Sequence, residues 1–75
     1  MNQEKLRQYY SMITDSWKFF KDHSVIENKD DNFWNKALDK SAAIGRQYGD
    51  NIFITTLLML MVDEIDRLDR EEREG

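Results

Sequence analysis

The chain has 75 residues, 40 % hydrophobic and 35 % charged, with 11 Lys and Arg against 15 Asp and Glu for a net charge of −4. That describes one small globular domain, and without a cysteine it has neither disulfides nor thiolate metal sites. The acidic balance argues against direct nucleic-acid binding, no apolar run reaches the roughly 18 residues of a membrane span, and no basic-then-apolar leader opens the chain, so the expectation is a cytoplasmic protein.

With no proline and three glycines, few positions interrupt a helix. In the first segment Leu6, Tyr10, Ile13, Trp17 and Phe20 recur at helical spacing, while Lys5, Gln8, Ser11, Asp15, Lys18 and Asp22 take the other side. The spacing predicts a first helix over about residues 3–22. It ends at His23-Ser24, where a cationic histidine would suit the helix dipole.

Residues 24–32 form the longest polar stretch, and Asp30 or Asp31 can accept hydrogen bonds from the free amides of a following first turn. The second helix is expected over about 32–48, with Trp34, Ala37, Ser41, Ile44 and Tyr48 on its seam and Leu38 and Ala42 widening it. Gly49 is the expected stop, since glycine takes the left-handed conformation cheaply.

Asp50 or Asn51 then caps a third helix over about 51–70, with Ile54, Leu58, Met61, Ile65 and Leu68 on its seam. A second row of Phe53, Leu57 and Leu60 lies beside that seam, and Met59 and Val62 add to it. Such a segment calls for burial on more than one side. Either the other two helices clasp it, or a second molecule packs on Phe53, Leu57 and Leu60 in a homodimer. Beyond Leu68 the run Asp-Arg-Glu-Glu-Arg-Glu-Gly is expected to fray. The fold expected is all-α, a single antiparallel three-helix bundle spanning residues 1–75.

The charge is unevenly placed. Residues 50–75 carry three basic and eight acidic side chains, so the whole deficit sits there. One reading is an acidic face formed by Asp63, Asp66, Asp69 and Glu72 and offered to a basic protein surface. The other is a solvated helix, because Asp63–Arg67, Asp66–Arg70 and Asp69–Arg73 are spaced i,i+4 with the acid first. A metal at Asp63, Glu64 and Asp66 is disfavoured, since a helix splays adjacent carboxylates. Asp30-Asp31-Asn32 lacks the alternation and central glycine of a calcium loop.

His23 is the only histidine, and no nucleophile, phosphate-binding glycine loop or Gly-x-Ser-x-Gly elbow accompanies it. The expectation is a protein that is not an enzyme, with no cofactor. Nine aromatic residues are a surplus. Tyr9, Phe19 and Phe33, with Met12, fall off the seams. They either wrap the edge of the core or, as Tyr9 and Phe19, stand exposed as binding anchors. Trp17-Lys18-Phe19-Phe20-Lys21 hints at an interfacial membrane contact, but two lysines are few beside a net charge of −4.

Residues 9–20, with Phe33-Trp34, Gln47-Tyr48-Gly49 and the closing helix ending Asp63-Glu64-Ile65-Asp66-Arg67, resemble short helical accessory proteins carried by phages and conjugative elements of Gram-positive gut bacteria. The likeness covers about residues 6–68. It implies a small intracellular protein of a mobile element, and proteins of this size and acidity on such elements include inhibitors of host defence nucleases, among them anti-CRISPR proteins. The function expected is a protein-binding module that inhibits or modulates a host protein. The acids Asp63, Asp66, Asp69 and Glu72 and the aromatics Tyr9 and Phe19 would carry the contact, and the alternative is the structural homodimer through the third helix.

Overall fold

Each helix begins where a short polar side chain can satisfy free amides. In a computed structural model that describes residues 1–74, they are α1 (Gln3–Ser24), α2 (Asp31–Gln47) and α3 (Ile52–Glu74). Asn2 accepts from the Lys5 amide at 2.8 Å, Asp30 from the Phe33 amide at 2.9 Å, and Asn51 from the Phe53 amide at 2.8 Å. Each bond fills one of the four amides that a helix start leaves without an internal partner.

The helix ends are equally local. The imidazole Nδ1 of His23 lies 2.8 Å from the Phe19 carbonyl, and the Lys29 ammonium folds back to donate to the Ser24 and Ile26 carbonyls. A cation therefore closes the negative end of α1 from outside the helix. At the end of α2, the Asp50 amide bonds the Gly45 carbonyl at 2.9 Å and the Gly49 amide bonds the Arg46 carbonyl at 3.1 Å. That is the 6→1 and 5→2 pairing of a Schellman stop, with Gly49 at φ +63° as its left-handed residue. Asp50 follows at φ 54°, a conformation that aspartate tolerates better than most side chains.

α3 is the central element and packs along both other helices, while α1 and α2 barely meet. The chain runs up, down and up, so α1 and α3 lie parallel with Tyr9 edge-on to Phe53 at 4.9 Å near their starts. At the far end Phe19 lies against His23 at 4.3 Å, and His23 leads on to Phe33 of α2 at 5.9 Å. Where α1 and α2 do touch, the Tyr48 hydroxyl donates to the Asp15 carboxylate at 2.5 Å. The core consists of Met12, Phe19, Phe33, Ala37, Ile44, Ile54, Leu58 and Ile65. This is the small all-α bundle that the periodicity predicts.

Three local expectations change. The largest concerns α1, which presents Met12, Ser16 and Phe19 to the core and turns Leu6, Tyr10, Ile13 and Trp17 outward. Two apolar lines share this helix, about 120° apart at 100° per residue. The buried line contains a serine and therefore reads as the weaker one in the sequence. Ser16, however, returns its hydroxyl to the Met12 carbonyl at 2.9 Å, so it enters the core with its polar atom satisfied. On α2, Phe33 is buried, while Leu38 and Ala42 are exposed. Finally, α3 continues as helix to Glu74 instead of fraying after Leu68. No helix among the described residues is long and apolar enough to cross a membrane.

Candidate interaction surface

The side chains expected to meet a partner fall into very different places. Phe19 is 2 % exposed and part of the core, so it is no surface anchor. Its position three residues after Ser16 and four before His23 puts it on the inward line of α1. Tyr9 is half-buried, its ring spent on the contact with Phe53.

The acidic residues are largely occupied by the helix that carries them. Asp69 is 8 % exposed and pairs with Arg73 at 3.2 Å. Asp66 pairs with Arg70. Arg67 does not reach Asp63 as the i,i+4 spacing suggests. Its guanidinium bonds Glu64 through Nε at 2.7 Å and Glu71 at 2.8 Å, one turn back and one turn on. Arg67 thereby holds the Glu64 carboxyl below the usual glutamate range, chiefly through that hydrogen bond. Among the described residues, Asp63 and Glu72 remain exposed without an ion pair. The alternation of acids and arginines thus stabilises the last turns of α3, by a few tenths of a kcal/mol per pair.

Of the proposed self-association row, Phe53 and Leu57 are half-buried within their own chain, and Leu60 alone of the three is 61 % exposed. The clasp by the other two helices therefore covers much of the second row without a second molecule.

Single apolar side chains such as Val25, Ile52 and Met59 stand exposed, but the outward line of α1 exposes four in register. Tyr10 is 72 % and Trp17 54 % exposed, with Leu6 and Ile13 close to half exposed between and before them. Trp17 is not loose, because its ring stacks on Phe20 at 6.1 Å and Phe20 packs on the core. These four side chains follow each other at steps of 4, 3 and 4, so they form a continuous ridge along just over half of α1. Phe53, Leu57 and Leu60 make a single stripe on α3, and Phe53 meets Tyr9. Leu60 therefore extends the apolar surface across the α1–α3 groove.

The charges around the ridge are segregated. Next to it, on the side away from Tyr9 and α3, α1 carries Lys21, Thr14, Arg7 and Lys18 in helical projection. Its acids Glu4, Asp15 and Asp22 project beyond those cations, on the face turned away from the ridge. Arg7, Lys18 and Lys21 are exposed, and the ion pairs among the described residues all lie within α3. The groove between α1 and α2 is lined by Asp15, Lys18, Phe19, Asp22, His23, Lys40 and Ile44. With its ring nitrogen held by the Phe19 carbonyl, His23 serves there as part of the helix end. Among the described residues no three His, Asp or Glu side chains converge as metal ligands would.

The aromatic surplus is legible in the sequence, but the exposure falls on Tyr10 and Trp17 rather than on Tyr9 and Phe19. The signal that could have found the ridge is its length, since a helix with two apolar lines can bury only one against two neighbours. Comparison with protein-family models, with curated proteins and with solved structures finds no match to this chain.

Proposed function

We propose that this chain is a protein-binding module with no catalytic role, a small rigid bundle that presents the ridge of α1 to another protein and inhibits or modulates it. The ridge carries the reading: Leu6, Tyr10, Ile13 and Trp17 stand in register on one helix, each about half exposed or more. Tyr and Trp are the side chains that most often dominate binding energy when a partner dries them, and contiguous exposed apolar patches are uncommon on monomers unless they are used. The overall surface supports the same reading. The accessible area is 5701 Å², about 850 Å² more than a compact monomer of 9.0 kDa exposes, and a standard interface covers about 800 Å² per partner. The resemblance of the sequence to accessory proteins of phages and mobile elements supports a host protein as the target, with a nucleic-acid-binding defence nuclease as its best representative.

The test compares two variants of the full chain in affinity capture from host lysate, with melting curves to confirm that both are folded. Tyr10→Ser with Trp17→Ser is expected to lose the captured protein, whereas Asp63→Asn with Glu72→Gln keeps it. Capture that survives the ridge variant and disappears with the acid variant would return the binding site to α3.

A further inference from the structure

Resting on that reading, we infer that the partner of the α1 ridge is an acidic amphipathic helix, laid along α1 with its apolar side chains on Leu6, Tyr10, Ile13 and Trp17 and its carboxylates toward Arg7, Lys18 and Lys21. The inference follows from which charges are already spent. In a chain of net charge −4 the arginines of α3 are consumed by their own acids, whereas among the described residues the exposed cations bordering the ridge have no ion pair. Lys18 also borders the groove holding Asp15 and Asp22, and Arg7 the one holding Glu4, so Lys21 carries the clearest share of the positive rim. Positive charge beside an apolar line is complementary to a segment with the same pattern and the opposite sign.

Two other occupants fit less well. A second copy of this chain, paired antiparallel through the ridge, would bring Lys18 of one molecule toward Arg7 of the other, and like charges across an interface are costly. Paired parallel, it would set the cationic flank of each molecule against the Tyr9 and Phe20 flank of the other, which carries no acid to meet it. A flat anionic bilayer would meet not only α1 but also the adjoining row of α3, where Glu64 and Glu71 follow Leu60. A helix about 10 Å wide can occupy the ridge without approaching them.

The experiment is selection of helical 20-residue peptides from a randomised display library against the intact protein. Alongside it, the protein is sedimented with phosphatidylglycerol vesicles and its own association is measured by analytical ultracentrifugation. The expected result is enrichment of peptides with net negative charge and apolar residues at steps of 3 and 4. Their affinity falls at least about tenfold on Arg7→Glu, Lys18→Glu, Lys21→Glu and weakens with added salt. Enriched peptides that are neutral or basic, the absence of any enrichment, strong vesicle binding lost on the charge reversal, or a dimer at micromolar concentration would each overturn the inference. The two readings fail separately. If lysate capture depends on Tyr10 and Trp17 but ignores the charge reversal, the binding module stands and the acidic helix falls. If capture ignores Tyr10 and Trp17, both fall.

Discussion

At the scale of single residues, one polar contact does most to join the two helices that pack least. The Tyr48 hydroxyl donates to Asp15 at 2.5 Å across the α1–α2 seam. Burial, then that hydrogen bond, then the negative charge of Asp15 push the phenol up from 10.0 to about 12. The folded state thus holds the proton more tightly than the unfolded chain does. The stabilisation it gives is fully present below pH 10 and is lost as the pH rises toward about 12. An alkaline titration followed by tyrosinate absorbance is expected to show one late transition near pH 12 that disappears in Tyr48→Phe. The same substitution should cost about 1 kcal/mol by thermal unfolding at neutral pH. Ser16 makes the complementary point, because its hydroxyl enters the core only by bonding the Met12 carbonyl one turn back.

At the scale of elements, α2 is shaped by two glycines with opposite roles. A methyl group on Gly45 would lie 3.4 Å from the Thr55 Cγ2 atom, an ordinary contact, and the position is helical. Gly49, by contrast, sits at φ +63° in the stop that ends α2. Gly45→Ala is therefore expected to stabilise the bundle by about 0.5–1 kcal/mol through helix propensity, and Gly49→Ala to destabilise it by roughly 1 kcal/mol. Chemical denaturation of the two variants checks the pair, and a destabilised Gly45→Ala would mean that α2 and α3 approach more closely than described. Caps, stops and helix limits such as these were legible in the sequence, since Asp30, Asn51 and Gly49 act through bonds only a few residues long. The seams of α2 and α3 were legible at their centres, Ala37 and Ile44 on α2 and Ile54, Leu58 and Ile65 on α3, although Phe33 reads as off the seam and Leu38 and Ala42 as part of it. The face of α1 was not. Its buried line carries Ser16 and reads as the weaker of the two, and the choice between them is made by contacts distant in sequence: Tyr9 with Phe53 and His23 with Phe33. The charge pairing of α3 was legible in kind but not in detail, since Arg67 chose Glu64 and Glu71 over Asp63.

At the scale of the whole molecule, the bundle is long for its mass. Its extents are 45 × 21 × 17 Å and its radius of gyration is 13.6 Å, against about 11 Å for a compact chain of this length. Among the described residues there are three helices, one of them central, and the outer face of α1 stays exposed with Arg7, Lys18 and Lys21 beside it. The central claim is therefore about which way α1 is turned. The absence of native cysteine makes that directly measurable. Single substitutions Tyr10→Cys, Ile13→Cys and Trp17→Cys are to be compared with Met12→Cys, Ser16→Cys and Phe19→Cys for their rate of alkylation in the folded protein. The outward three are expected to react at rates close to those of a free thiol, and the inward three to be protected roughly a hundredfold or more, by an amount set by the opening free energy. Protection of positions 10, 13 and 17 with rapid labelling at 12, 16 and 19 would show α1 packed on its other line, and the ridge with its partner would go with it.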